Sequence, residues 1–182
     1  MFLTLFNSIV GPHLEYGSNV WSMIYKKEAM QIENLQRRTT TLVKIIQHLS
    51  YTDRLKYLVL PSLQYRRLRA QMVETFKILY NIDKVQHERI FSMSRTATRG
   101  HNQNIYTKNS RTNISKYSIS QRIVDMWNSL PKQAIETKTV NPFKGQLNNH
   151  WQNLEIQFSP DVYRSKVETN LPRRFQGANK PI

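Results

Sequence analysis

Apolar residues recur along this chain at helical spacing, and Pro, Gly and capping residues cut the recurrence into segments. Phe2, Leu3, Phe6 and Ile9 predict a short, strongly apolar helix that Gly11-Pro12 ends. So apolar a helix at the first residue leads us to expect a core that includes upstream sequence. A second short helix is expected between His13 and Trp21, with the Trp21 ring as a core anchor. The longest Pro- and Gly-free stretch, Lys26 to Leu49, predicts one continuous helix. Ile32, Leu35, Leu42, Ile46 and Leu49 line one side of it, with Thr39 on the missing rung, and Arg37, Arg38 and Lys44 form a second, cationic ridge. The polar Thr39 and a run of only about three heptads disfavour a supercoiled dimer.

Further along, Ser50 caps a short helix with Asp53 at its third position; Leu55, Leu58 and Val59 give it an apolar side and Pro61 stops it. Ser62 caps a longer helix to about Asn81 whose stripe is Tyr65, Leu68, Met72, Phe76 and Leu79. From Ser92 to Ser118 the chain turns polar, basic and free of acidic residues. There, Asn104–Thr107 and Thr112–Ile114 are expected to pair as a hairpin across Lys108 to Arg111, and His101 is expected to be solvated. Ser118 and Gln121 make a capping box for a helix striped by Ile119, Ile123, Trp127 and Leu130, up to Pro131. Asn141-Pro142 opens the last helix, with Phe143, Leu147, Trp151 and Leu154 on its buried side. Beyond Phe158 the pattern fades into Pro, Gly and Arg173-Arg174.

These elements predict a mainly α-helical protein: a helical bundle with a small β-hairpin and a disordered basic C-terminal tail. Its segments are expected to be a helical region over 1–81, a basic loop or hairpin insert over 82–117, a helical pair over 118–158 and a flexible tail over 159–182.

Charge narrows the partner. The 182 residues carry 27 Lys+Arg against 12 Asp+Glu, a formal charge of +15, which repels itself unless an anionic partner neutralises it. Nucleic acid is the first candidate. An anionic membrane surface fits less well, because no single helix sets its cations opposite a broad apolar face, and the N-terminus lacks the basic start of a signal peptide. The absence of cysteine excludes disulfides, Cys-ligated zinc and thiol catalysis. Asp53, Asp83, Asp125 and Asp161 are isolated, so no adjacent carboxylates are available for two-metal catalysis, and no phosphate loop or His-x-x-x-His pair appears. Arg66, Arg67 and Arg69 crowd a helix start, where the macrodipole disfavours cations. Either a bound anion compensates them or Glu15, Glu28 or Glu33 does.

Ordered short motifs add to this. Pro12-His13-Leu14-Glu15-Tyr16-Gly17 with Val20-Trp21 comes first, then Leu35-Gln36-Arg37-Arg38, then His48-Leu49-Ser50-Tyr51 with Arg54-Leu55, and Phe76-Lys77-Ile78-Leu79. Thr98-Arg99-Gly100-His101, Ser120-Gln121-Arg122-Ile123-Val124, Trp127-Asn128-Ser129-Leu130-Pro131 and Val140-Asn141 with Phe143-Lys144 follow. In this order, over roughly Phe2 to Trp151, they resemble the C-terminal part of the reverse transcriptase of non-LTR (LINE, jockey and chicken-repeat type) retrotransposons. The resemblance implies the thumb and the helical segment after it, a template-primer of RNA or DNA as partner, and an upstream palm. It also implies Mg²⁺ for the complete enzyme, and a place in the nucleus or cytoplasm. The family's Tyr-x-Asp-Asp motif is absent from this chain, which is therefore expected to need no cofactor and to have no polymerase activity alone. Two departures stand out: Gly11 replaces a basic residue, and Thr39-Thr40-Thr41 replaces a better helix-forming run.

The expected function is binding of nucleic-acid backbone without sequence preference, through Arg37, Arg38, Lys44, Arg66, Arg67, Arg69, Arg99 and Arg111. The alternatives are a piece of an active enzyme completed by upstream sequence, and a helical protein-interaction module.

Overall fold

The computed structural model describes residues 2–17, 26–94, 101–106, 112, 118–152 and 157–158. Trp21, Leu154 and the tail from 159 onward, about which the sequence raised expectations, lie outside these residues. The elements in chain order are α1 (Phe2–Leu5), a π-helical turn (Phe6–Val10), α2 (Gly11–Glu15), α3 (Lys26–Thr41) and a 3₁₀ turn (Lys44–Ile46). Then come α4 (Tyr51–Tyr57), α5 (Leu63–Leu79), α6 (His87–Ile90), β1 (Ser92–Met93), β2 (Ile105–Tyr106), α7 (Ile119–Arg122), α8 (Val124–Asn128), α9 (Lys132–Ile135) and α10 (Val140–Gln152). The protein is mainly helical with one small antiparallel sheet.

α5 is the central element. Tyr65, Leu68, Met72 and Phe76 of the anticipated stripe are buried in a large core with Ile123, Val124, Trp127, Leu130, Ile135, Phe143, Leu147 and Trp151 from the C-terminal part of the chain, and Leu79, its last member, packs against that core partly buried. Phe76 stacks on Phe143 at 4.3 Å between ring centroids, and Tyr65 meets Trp151 edge-on at 5.5 Å. α5 therefore shares one core with helices some fifty or more residues downstream. A smaller cluster of Phe6, Leu55 and Leu60 sits beside it.

Two of the four expected caps form as their sequence signals require, those of α4 and α5; Ser118 makes no side-chain cap bond to α7, and α10 begins at Val140, which puts Asn141 inside the helix rather than at its cap. The Ser50 hydroxyl accepts from the Asp53 N–H at 3.2 Å and the Ser62 hydroxyl from the Tyr65 N–H at 3.2 Å. Both helices end in the same way. After α4 the N–H of Leu60 reaches the Leu55 carbonyl at 2.9 Å and that of Val59 the Lys56 carbonyl at 3.1 Å, with Val59 left-handed at φ 50°. After α5, Ile82 and Asn81 repeat the pattern with Asn81 at φ 57°.

Several expectations are corrected. Gly11-Pro12 does not end the first helix: the Gly11 N–H reaches back to the Phe6 carbonyl across five residues, and this wider turn lets Pro12 sit in the first turn of α2. Of that helix Phe6 is buried, whereas Ile9 is exposed. Val59, at the end of α4, is also exposed rather than part of an apolar side. The anticipated strand at 105–106 forms, but it pairs with Ser92–Met93, in register Ser92 with Tyr106 and Met93 with Ile105. Residues 113 and 114 of the expected partner strand lie outside the described residues. His101 is buried, not solvated: its Nε2–H donates to the Trp127 carbonyl at 3.2 Å while Nδ1 accepts from the Gln103 N–H at 3.2 Å. Trp127 returns a bond from its indole N–H to the Gln103 carbonyl at 2.8 Å. Asn128 acts as a strand partner, accepting from the Ile105 N–H at 2.9 Å and donating to its carbonyl at 3.0 Å. The helix expected over 119–130 is divided into α7 and α8 at Ile123, and the Ser118 hydroxyl meets that of Ser120 at 2.9 Å.

Candidate nucleic-acid interface

The predicted helix from Lys26 to Leu49 stops at Thr41, and its breaking is chemically legible. The hydroxyls of Thr39, Thr40 and Thr41 bond back to the carbonyls of Leu35, Arg37 and Arg37 at 2.7, 2.8 and 2.9 Å. Such back-bonding competes with the helix ladder, and three β-branched residues in succession have low helix propensity. Val43 then adopts an extended backbone at φ −79° and ψ 95°, and Lys44 stands on the 3₁₀ turn beyond it. Lys44 is therefore not on the same helical ridge as Arg37 and Arg38.

The face that α3 buries is rotated by about 100° from the one its apolar stripe predicts, although Ile32 of that stripe is half-buried and Ile46, on the 3₁₀ turn, is buried. Glu33, Gln36 and Thr40 are buried, whereas Leu35 and Leu42 are exposed. The cause is what α3 packs against: the start of α5, which presents unpaired helix N–H groups and basic side chains. Glu33 accepts from the Leu63 N–H at 3.1 Å with one carboxylate oxygen and from the Tyr51 hydroxyl at 2.5 Å with the other. Gln36 donates to the Pro61 carbonyl at 3.0 Å and accepts from Arg66 at 2.9 Å. Leucines in those places would leave these groups without partners. Burial raises the pKa of Glu33, against the lowering effects of the Tyr51 hydroxyl, the α5 backbone N–H groups and Arg66. Burial and the neighbouring Glu33 raise that of Tyr51.

The three arginines at the start of α5 turn inward. Arg66 forms a salt bridge with Glu15 at 2.6 Å. Arg67 donates to the Leu14 carbonyl at 2.6 Å, and burial lowers its pKa. Arg69 donates to Asn148 at 2.9 Å. The protein's own carboxylates stand at this helix start: Glu15 pairs with Arg66 and Glu33 accepts the Leu63 N–H. Gly11 lies against this group, 3.6 Å from Arg66 measured from a Cβ placed on it. A basic side chain at 11 would begin beside a guanidinium.

Of the predicted contacts, Arg37, Arg38 and Lys44 stay outside, all exposed, with His48 and Lys56 exposed on the loop and helix that follow; elsewhere among the described residues Lys84, Arg89, Lys132 and Lys138 are exposed as well. Arg37 lies over the Tyr51 ring, 4.8 Å from its centroid, so the Glu33–Tyr51 pair positions the first of these cations. Arg99 and Arg111 lie outside the described residues. Sequence reasoning named Glu33 as a partner for the arginines but passed over the roles of Gln36 and Tyr51. For Gln36 the signal was the polar spacing of Glu33, Gln36 and Thr40 at helical intervals, a stripe between the apolar one and the cationic ridge.

Among the described residues no three His, Asp or Glu side chains converge as a metal site, and no helix is long and apolar enough to cross a membrane. No family model, curated protein or solved structure matches the chain.

Proposed function

We propose that this chain is a segment of a LINE-type RNA-directed DNA polymerase, without the catalytic palm, that holds the template-primer by its phosphate backbone. The supporting observation is the division of the basic residues: the fold uses Arg66, Arg67 and Arg69 internally and leaves Arg37, Arg38 and Lys44 in solvent at one end of α3. Exposed cations on a protein of formal charge +15 suit phosphate contacts, which position a nucleic acid without reading its bases. The ordered motifs supply the family assignment.

The salt dependence of duplex binding tests this. Each phosphate contact adds about 0.9 to the slope of log K against log salt on B-DNA, so R37Q/R38Q/K44Q should lower the slope by about 2 to 3. R173Q/R174Q in the tail controls for unspecific charge. An equal loss per charge in both variants would reduce Arg37, Arg38 and Lys44 to a solvated face.

A further inference from the structure

Phosphate contact leaves the apolar part of the same surface unexplained. Leu35 is 46% exposed, Leu42 70% and Ile45 75%. Leu35 and Arg38 share one outer face of α3 by their spacing and Leu42 follows directly after its end, so along the chain Arg38 lies between two exposed leucines and Lys44 between Leu42 and Ile45. The 3₁₀ turn that carries Ile45, just beyond Leu42, is fixed from below. Ile46 is buried, and the buried Arg54 donates to the carbonyls of Gln47 and Leu49 at 3.4 and 3.2 Å. Two aliphatic side chains are thus held in water at an anchored turn bordered by cations.

The charges choose the occupant. An apolar partner helix would have to bury Arg38 in the middle of the contact, which is costly without a matching carboxylate, and interface cores are depleted in charge. A second copy would bring the same cations together. A nucleic acid meets both chemistries, phosphates for the cations and an opened base step for the aliphatic pair. We propose that Leu42 and Ile45 form a wedge that enters between stacked bases of the duplex held by Arg37, Arg38 and Lys44; this rests on the phosphate-binding function above.

Opening a step costs least where stacking is already weak, so a mismatched duplex should bind more tightly than a matched one. The test uses the intact chain and duplexes carrying 2-aminopurine, with and without an adjacent mismatch. The expected result is a fluorescence rise on binding and a preference of about tenfold for the mismatch. L42S/I45S should lose both yet keep its salt slope, and because both side chains lie mostly in water it should melt like the parent. L42A/I45A, which truncates both side chains without adding a hydroxyl that could compete for backbone groups, gives the same readout should the serines disturb the turn. No fluorescence rise, or a rise and preference that survive both variants, overturns the wedge. So does self-association of the parent that L42S/I45S abolishes without changing the duplex response, since the face would then join copies of the chain. Failure of the phosphate function reads out separately, as a salt slope unchanged in R37Q/R38Q/K44Q.

Discussion

Replacing Glu33 separates its charge from its hydrogen bonds. Its carboxylate accepts the Leu63 N–H at 3.1 Å and the Tyr51 hydroxyl at 2.5 Å, both at a buried junction. Glu33→Ala orphans both donors, and at about 1–3 kcal/mol for each buried unsatisfied group the loss should be about 2–5 kcal/mol. Glu33→Gln keeps both bonds: its oxygen accepts from Leu63 and its amide donates to the Tyr51 oxygen, which is free to accept. Arg66 retains Glu15, so Glu33→Gln should lie within about 1 kcal/mol of the parent at neutral pH. Burial raises the folded pKa of Glu33 above its ordinary value of 4.5, so between these two values the folded state binds more protons than the unfolded. Stability from this group is therefore present at low pH and declines as pH rises from 4.5 through the folded pKa, by at most about 1.4 kcal/mol per pH unit. Denaturant unfolding of the parent and both variants across that window is the assay. Glu33→Gln should remove this falling component. If it destabilises as much as Glu33→Ala, or if the component persists in it, the proposed division between charge and hydrogen bonds is wrong.

Val59 holds a left-handed backbone at φ 50° while 75% exposed, so Val59→Asn should stabilise by about 1 kcal/mol, seen as a rise in thermal midpoint. Asn128→Asp removes the donor to the Ile105 carbonyl and sets charge against it; a loss of about 2–3 kcal/mol is expected in urea unfolding. Arg66→Gln should cost about 1–2 kcal/mol of stability and leave the salt slope of duplex binding unchanged, since this side chain points to Glu15 and Gln36; a flatter slope would place it at the interface. Primer extension with Mg²⁺ should be absent from the purified chain, because its aspartates are isolated in sequence; extension abolished by an Asp mutation would contradict this.

For α5 and the core face of α10, local pattern determined which residues are buried. Tyr65, Leu68, Met72 and Phe76 are buried as their spacing requires, as are Phe143, Leu147 and Trp151, and Ser50 and Ser62 cap where they stand in the chain. These elements needed only periodicity and a neighbouring cap, both of which a short window contains. α3 differs because its partner is the end of another helix. The N–H groups and arginines at the start of α5 call for acceptors, so Glu33 and Gln36 go inside while Leu35 and Leu42 stay out, a choice that depends on residues thirty positions away. The same distance effect turned Arg66, Arg67 and Arg69 inward and left Arg37, Arg38 and Lys44 outside, although all six are alike in sequence. His101 and Asn128 likewise found their partners only when the loop at 101–106 closed over Trp127. Charge, cap and stripe are properties of a segment; which cation faces water depends on what desolvated group lies opposite, and only tertiary packing brings that group into place.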